Sequence, residues 1–359
     1  MIGGGIVGLF TALFHKRAYP WHHVVVLEKG AFPCGASVRN AGFACFGSPS
    51  ELLADMKAEG VTAALDRVEM RWRGLNELRQ ELGDDAIGLE PTGGHEIYTE
   101  HNAQYTAVRE GFDLLNDQLR PILGSRAFEW APQQIKSFGL KGVIDLARTP
   151  LEAPIDSGRL MMALLRKAIA EGVLFRSNFE VTVLEEHPGH VEIRSSKGEQ
   201  VLAAQVVMAL NGYTRSLLPD ADVIPARGQV VLTSPVQGPR PIGTFHYDEG
   251  FYYFRDFNGG VLLGGGRNLD IAGETTAEAG GNPLIGRALE ELLKQVILPE
   301  KQFSIVQRWS GIMAFGKTTK TPLIERRSER TVIAARLGGM GVAIGILVGR
   351  KAAGLISAS

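Results

Sequence analysis

The order of apolar and polar residues near the start of the chain predicts a helix followed by a strand. The segment LFTALFHKR has the spacing of an amphipathic helix with Leu9, Leu13 and Phe14 on its buried face. Pro20 ends this helix, because proline cannot continue the hydrogen-bond ladder. The following segment VVVLEKG is a continuous apolar run that ends in Glu28 and is typical of a buried parallel strand. These two elements form half of a βαβ unit.

The same pattern places further elements along the chain. Helices are predicted over Ser50 to Leu82, in RLMMALLRKAIAEG after the cap residues Asp156 and Ser157, and over Pro283 to Leu298. Strands are predicted over His95 to Thr99 and in FHYDEGFYYF and GGVLLGGG. The alternation in the last two segments indicates a largely antiparallel sheet.

Two interleaved domains follow from this order of elements. We predict a Rossmann-like α/β domain formed by residues 1–48, 150–220 and 309–359. Residues 49–149 and 221–308 form an α+β substrate domain on the antiparallel sheet. Both domains are discontinuous, so the active site is expected between them.

Glycines next to the first helix carry the first chemical signal. Gly3, Gly5 and Gly8 satisfy the G-x-G-x-x-G pattern, which allows a tight turn, close approach to a pyrophosphate and close helix packing. Glu28 follows twenty residues after Gly8, where this fold requires an acceptor for the ribose hydroxyls of adenosine. Only Met1 and Ile2 precede the glycines, whereas the first strand of this fold is normally longer. We therefore expect a truncated first strand and a native chain that begins earlier.

Composition narrows the class of protein. Apolar residues make up 45% and charged residues 21%, and the formal net charge is −1, so the chain lacks the basic surface of a nucleic-acid binder. Cys34 and Cys45 show neither metal-ligand spacing nor a disulfide framework, so no metal is expected. The most membrane-like segment, MGVAIGILVG, is shorter than the roughly 20 residues needed to cross a bilayer. With no secretory signal visible, we expect a cytoplasmic protein without an integral membrane segment.

Several further segments stand out beside the glycine loop. They are SVRNAGFA, FEVTVLEEHPGHVEIRSS with the later A-x-N-G, PARGQVVLTSP, FYYFRDFNGGVLLGGGRN, and the C-terminal WSGIMAFG with LGGMGVAIGILVG. Together these segments resemble the D-amino-acid-oxidase-like (DAO) superfamily of FAD-dependent oxidoreductases, which includes glycine oxidase and sarcosine oxidase. The recurrence of Gly341, Gly345 and Gly349 also predicts a helix face of small residues for close packing.

The resemblance implies non-covalent FAD as the cofactor. The residues that it assigns to FAD are Gly3, Gly5, Ile6, Val7, Gly8, Glu28, Lys29, Ser37, Arg39, Asn40, Ala41, Gly42, Phe43, Ala44, Val181, Asn211, Gly212, Gly338, Gly339, Met340, Gly341 and Val342. In relatives, the amides and dipole at the last of these segments stabilise negative charge on the reduced flavin. The histidine and cysteine that attach flavin covalently in some relatives are absent from the corresponding segments.

The resemblance also implies oxidation of a C–N bond. An amino acid or secondary amine delivers hydride to flavin N5, water hydrolyses the resulting imine, and O2 or another acceptor takes the electrons. Relatives of the glycine-oxidase type hold the substrate carboxylate with an arginine at the position of Met313 here. We consider Arg255, Arg267 and Arg308 as replacements.

For contact with the substrate we predict Tyr252, Arg255 and Trp309, although a core or surface role competes at each position. Tyr252 and Tyr253 alternate on a strand, so at most one faces the flavin. His246 is a weaker candidate, since a single strand histidine is usually structural.

Other functions compete with amine oxidation. The same scaffold serves 2-hydroxy-acid oxidoreductases, flavin-binding subunits of heteromeric dehydrogenases, and a branch that modifies tRNA. The lack of a basic patch disfavours tRNA, and the C-terminal glycine segment disfavours an NAD dehydrogenase. Substrate, electron acceptor and oligomeric state stay open.

Overall fold

Two main sheets and two smaller ones are formed by the residues that the computed structural model describes, 1–356. The helices are α1 (Ile6–Ala18), α2 (Ala36–Arg39), α3 (Pro49–Glu59), α4 (Val61–Leu82), α5 (Asp84–Ile87), α6 (Tyr105–Leu123), α7 (Ile135–Phe138), α8 (Ser157–Ala170), α9 (Pro283–Leu292) and α10 (Gly341–Gly354). Short 3₁₀ turns span Pro132–Gln134, Asn211–Ser216 and Arg267–Leu269, and a π turn spans Leu293–Ile297.

The strands are β1 (Val25–Leu27), β2 (Phe43–Ala44), β3 (Gly94–Thr99), β4 (Glu129–Trp130), β5 (Val143–Thr149), β6 (Ala153–Pro154), β7 (Leu174–Arg176), β8 (Val181–His187), β9 (His190–Ser195), β10 (Gln200–Ala203), β11 (Val206–Met208), β12 (Ile224–Thr233), β13 (Thr244–Tyr247), β14 (Tyr252–Phe257), β15 (Gly260–Gly265), β16 (Ile305–Phe315), β17 (Leu323–Arg326) and β18 (Thr331–Ala335).

Ile2 takes the place of a central strand in the smaller sheet. It forms parallel bridges to Leu27 of β1 and to Met208 of β11, and its N–H donates to the carbonyl of Val207 at 2.8 Å. The order across the sheet is therefore β7, β1, Ile2, β11, β18 and β17, and only β17 is antiparallel. The predicted shortness of the first strand is confirmed, and the earlier start of the native chain stays a prediction.

Helices α1 and α10 pack against each other through the predicted face of small residues. A Cβ atom on Gly345 would lie 2.9 Å from the side chain of Ile6, and one on Gly349 would lie 2.6 Å from Cβ of Phe10. Helix α4 approaches α10 from another side, where Gly74 contacts the backbone of Ala343. The glycines therefore allow a separation that larger residues would prevent.

The larger sheet has eight strands in the order β16, β12, β15, β14, β13, β3, β5 and β4. Its neighbours are antiparallel except β13 and β3, as the sequence predicts for most of the sheet. Alternate residues face opposite sides: Phe245 and Phe254 belong to the core that includes Leu289 of α9, whereas His246 and Tyr253 line a cavity.

Other predictions of local structure are confirmed. Asp156 caps α8 by accepting a hydrogen bond from the N–H of Arg159, and α1 ends at Ala18, just before Pro20. Over residues 1–356, none of the helices combines the length and apolar character needed to cross a membrane. The division into two discontinuous domains stays a prediction.

Candidate active site

A cavity of about 860 Å³ lies between the two sheets. The glycine loop and the ends of β1 and β11 form one part of its wall, and residues of β12 to β16 form another. The loop before α10 also lines it. The cavity therefore connects the predicted dinucleotide site with the face of the large sheet, and its size falls within the range of cofactor and ligand sites.

The glycine loop is shaped by contacts that leave no room for side chains. The N–H of Gly4 donates to Oε2 of Glu28 at 2.9 Å, and a Cβ on Gly5 would lie 2.9 Å from Oγ of Ser37. Ser37 also accepts a hydrogen bond from the N–H of Ile6 at 3.0 Å, at the first turn of α1. A Cβ on Gly8 would lie 2.0 Å from the carbonyl oxygen of Gly3. Gly8 is thus excluded from carrying a side chain by backbone, and at Gly5 a side chain would require Ser37 to move, so glycine keeps the loop backbone open to a phosphate group.

Most of the residues predicted to bind FAD line this cavity. Those that line it are Gly3, Gly5, Ile6, Val7, Glu28, Lys29, Ser37, Arg39, Asn40, Ala41, Phe43, Val181, Asn211, Gly338, Gly339, Met340, Gly341 and Val342. Gly8, Gly42, Ala44 and Gly212 lie behind the wall. At Gly212, for example, a Cβ would collide with Ile312, so that glycine gives space for neighbouring backbone.

The loop before α10 presents backbone to the cavity. It follows β18, and Oδ1 of Asn211 accepts hydrogen bonds from the N–H groups of Arg336 and Leu337 at 3.1 and 3.4 Å. Gly338 adopts a left-handed conformation with φ of 57°, and a Cβ on Gly339 would meet no atom within 4 Å. The free amides at the start of α10 therefore border the cavity, where they favour negative charge.

None of the three residues predicted to contact substrate lines the cavity, and the structure gives each of them other contacts. Arg255 is buried and donates to the carbonyls of Gly42, Ile155 and Asp256, which makes it a structural link. Nε1 of Trp309 donates to the carbonyl of Arg39 at 3.0 Å in a separate groove. Tyr252 packs against the core beneath the large sheet.

Tyr253 lines the cavity in place of Tyr252, because the strand alternates in that register. Its ring lies across Gly264, where a Cβ would approach to 2.3 Å. Burial raises the pKa of Tyr253 to about 12, so its phenol stays protonated at neutral pH. Phe251 and Phe315 add further aromatic surface to the same cavity. The sequence predicts that at most one of the two tyrosines faces the flavin. It does not show the register of the strand, which decides that this residue is Tyr253.

Arg267 also lines the cavity. The chain reaches it through Gly265 and Gly266, which have positive φ values of 125° and 75° and turn the backbone away from β15. Its Cζ lies 5.0 Å from the centre of the Phe315 ring. Nε of Arg267 is buried without a hydrogen-bond partner among the described residues, and burial lowers the pKa of the guanidinium. This cation is therefore poorly solvated and, within residues 1–356, forms no ion pair, although the charge of Glu274 acts on it.

A glycine loop, an acidic strand end and a deep cavity between two sheets define a dinucleotide-dependent oxidoreductase. The profile of the DAO family, described as FAD dependent oxidoreductase, matches residues 1–355. The chain belongs to this family, and the predicted FAD is confirmed as the cofactor on which the family depends. No curated protein sequence matches the chain.

Solved structures with a similar fold cover almost the whole chain. L-proline dehydrogenase from P. horikoshii has 20% sequence identity and a TM-score of 0.75, and the match covers 99% of this chain and 91% of that one. Glycine oxidase from Geobacillus kaustophilus has 20% identity and a TM-score of 0.73, with 97% and 91% covered. L-amino acid deaminase from Proteus vulgaris has 18% identity and a TM-score of 0.71, with 99% and 92% covered. At these identities the likeness concerns the fold.

Proposed function

We propose that the chain oxidises the C–N bond of an amino acid, with FAD as the hydride acceptor. When bound, FAD accepts a hydride from the carbon next to nitrogen, and water then hydrolyses the imine. The single observation that carries the amino-acid class is the unpartnered guanidinium of Arg267 at the cavity wall. The three structures named above are of enzymes whose names refer to proline, glycine and L-amino acids, which supports the same class.

Arg267 differs from the other arginines of the cavity wall. Arg39 donates to the carbonyls of Cys34 and Ser310, Arg67 pairs with Asp55 and Glu59, Arg71 with Glu51, and Arg336 with Asp222. Among the described residues, Arg267 has no such partner. Because a half-buried guanidinium is stabilised by an anion, a substrate carboxylate is the ligand that this position fits best.

The surroundings of Arg267 suit a small amino acid. Phe251, Tyr253 and Phe315 supply aromatic surface beside it, and an apolar surrounding favours the neutral amine over its protonated form. Tyr253 keeps its proton, so its phenol can donate a hydrogen bond to the substrate. Met313, at the position where relatives carry an arginine, lies in the same wall. Arg267 therefore takes the role that Met313 cannot provide.

The test is anaerobic mixing of the purified flavoprotein with three sets of compounds, while the visible flavin band is followed. The sets are D-, L- and N-methyl amino acids, the matching amines without a carboxylate, and 2-hydroxy acids. We expect bleaching by at least one amino acid and none by its decarboxylated amine. Bleaching by amines alone, or by hydroxy acids alone, would contradict the proposal. Admitting air then separates an oxidase from a dehydrogenase by the speed of flavin reoxidation.

Two arginine variants make this test specific to Arg267. Arg267→Met removes the one positive charge that we assign to binding of the substrate carboxylate. It should raise the substrate concentration for half-maximal bleaching by on the order of tenfold to hundredfold. Arg308→Met is the matched control, because Arg308 pairs with Glu290 in a separate groove. Unchanged substrate dependence in Arg267→Met would rule out the carboxylate contact.

A further inference from the structure

Three side chains from distant segments converge at the wall of the cavity. Cys45 follows β2, Glu152 precedes β6 and His246 belongs to β13. The thiol sulfur, a carboxylate oxygen and an imidazole nitrogen lie within 4.8 Å of one another. The three residues are only 6%, 2% and 7% exposed. They are a thiol, a carboxyl group and an imidazole, which are the three side-chain types that zinc prefers.

The imidazole of His246 faces the thiol of Cys45 and the carboxylate of Glu152. Its Nε2 is buried with no hydrogen-bond partner in the described part of the chain, and it lies 3.4 Å from Oε2 of Glu152. Two ligands on one tetrahedral zinc, each bonded at about 2.0–2.1 Å, are separated by roughly 3.3–3.4 Å. The spacing of these two atoms fits a pair of metal ligands as well as a His–Glu ion pair, and the thiol of Cys45 beside them favours the metal.

Glu152 is held in place independently of the other two residues. Its Oε1 accepts hydrogen bonds from the N–H groups of Phe46 and Gly47 at 2.9 and 3.3 Å. Oε2 is left to face His246. Gly94 makes room for this atom, since a Cβ at that position would lie 2.5 Å from Oε2. The carboxylate is thus fixed by backbone donors, as is usual for a metal ligand supported by its surroundings.

We propose that Cys45, Glu152 and His246 bind one zinc ion at the cavity wall. A thiolate and a carboxylate would balance the two positive charges of zinc, so the buried site would be neutral, with the imidazole as an uncharged ligand. Cys45 and His246 line the cavity. The fourth coordination position therefore faces the cavity and is taken by water or by a ligand that enters there, as in zinc sites with three protein ligands.

A second cluster offers a control. Glu185, His187 and Glu192 also approach one another closely enough for a metal ion. They lie on the surface hairpin of β8 and β9, are partly or fully exposed and include no thiol. Exposed carboxylates of this kind bind ions weakly, so zinc at this cluster should be removed by a mild chelator. Zinc at the buried cluster should remain.

The experiment measures zinc and flavin per chain in the purified flavoprotein after passage over a chelating resin. Cells are grown with added zinc, and zinc is determined by plasma mass spectrometry. We expect about one zinc per chain in the unmodified protein, in Cys34→Ser and in His187→Gln. Cys45→Ser and His246→Gln should each lose at least about tenfold of the bound zinc. Flavin content and far-ultraviolet circular dichroism show whether each variant is folded.

The zinc K-edge absorption spectrum provides a readout that needs no substitution at the site. It should show one sulfur at about 2.3 Å and nitrogen or oxygen ligands at about 2.0–2.1 Å. The same sulfur in Cys34→Ser assigns it to Cys45, because the chain has only two cysteines. Absence of zinc, a spectrum without sulfur, zinc retained in folded Cys45→Ser, or zinc lost only in His187→Gln would each overturn the proposal. These readouts do not depend on turnover of any substrate.

Discussion

The carboxylate of Glu28 lies directly against the glycine loop, where its Oε2 accepts a hydrogen bond from the N–H of Gly4 at 2.9 Å. Its Oε1 accepts a second one from the N–H of Gly30 at 3.0 Å. Glu28 stands at the end of β1 and is buried at the cavity wall. One residue thus fixes the loop, and its remaining lone pairs lie at the cavity wall, where we predict the adenosine ribose.

Replacement of Glu28 should therefore weaken FAD binding more than it weakens the fold. We expect Glu28→Ala to raise the dissociation constant of FAD by on the order of tenfold to hundredfold, since it loses the loop contact and the ribose acceptor together. Glu28→Gln keeps one acceptor oxygen, so its dissociation constant for FAD should lie between those of the unmodified protein and Glu28→Ala. Equilibrium dialysis of the flavoprotein measures this constant, with Glu300→Ala as a surface control because Glu300 is 85% exposed in its side chain. Equal FAD affinity in Glu28→Ala would contradict the assignment.

The contact between α1 and α10 gives a second prediction. In Gly349→Ala the new methyl group would lie 2.6 Å from Cβ of Phe10, so the helices must separate. We expect the free energy of unfolding to fall by about 1–3 kcal/mol, measured by urea denaturation. Gly354→Ala, in the last turn of the same helix, meets no atom within 4 Å and should change the free energy by less than about 0.5 kcal/mol. Similar effects of the two variants would mean that the close contact at Gly349 does not determine how tightly α1 and α10 pack.

Features carried by local spacing were predictable from the sequence. The glycines from Gly3 to Gly8, Glu28 at the strand end and the small-residue face of α10 each reflect contacts between neighbouring segments with fixed geometry. For this reason most of the predicted cofactor residues do line the cavity.

Features that depend on long-range register were not predictable. Tyr252 and Tyr253 are neighbours with similar chemistry, and only the pairing of β14 with β13 and β15 decides which one faces the cavity. The cluster of Cys45, Glu152 and His246 joins residues about a hundred positions apart, so no spacing rule reveals it. Sequence reasoning chose Arg255 over Arg267, because partners of a guanidinium cannot be counted before the fold is known.

Arg255 yields a third prediction, about stability. Its buried guanidinium donates to the carbonyls of Gly42, Ile155 and Asp256, and so connects the loop after α2 with the large sheet. Arg255→Met should lower the free energy of unfolding by about 2–4 kcal/mol, because it removes three hydrogen bonds, of which those to Gly42 and Ile155 are buried. Thermal and urea denaturation check this value. Arg308→Met, which removes an exposed ion pair with Glu290, should cost less than about 1 kcal/mol. An Arg255→Met protein that is stable but no longer binds substrate would instead support the prediction that Arg255 contacts the substrate.

His95 gives a prediction about pH. It is buried on β3, its ring stacks on Phe245 at 4.5 Å, and its Nδ1 lies 3.2 Å from the carbonyl of Thr244. Burial lowers the pKa of His95 from 6.5 to about 4. Between these two values the unfolded chain binds a proton that the folded chain excludes. Stability is therefore lost as the pH falls from about 6.5 to about 4, by up to about 3 kcal/mol for this residue.

His95→Gln should remove this contribution while keeping an N–H donor near Thr244. We expect the difference in the free energy of unfolding between pH 7 and pH 4.5, from urea denaturation, to shrink in the variant. It should not vanish, because burial and the nearby His22 lower the pKa of His15 to about 4 as well. The carboxylates contribute equally to the pH dependence of the variant and of the unmodified protein, so the difference between the two reports on His95. His101→Gln serves as a control at an exposed turn. An unchanged pH dependence in His95→Gln would show that His95 is protonated in the folded protein as readily as in the unfolded chain.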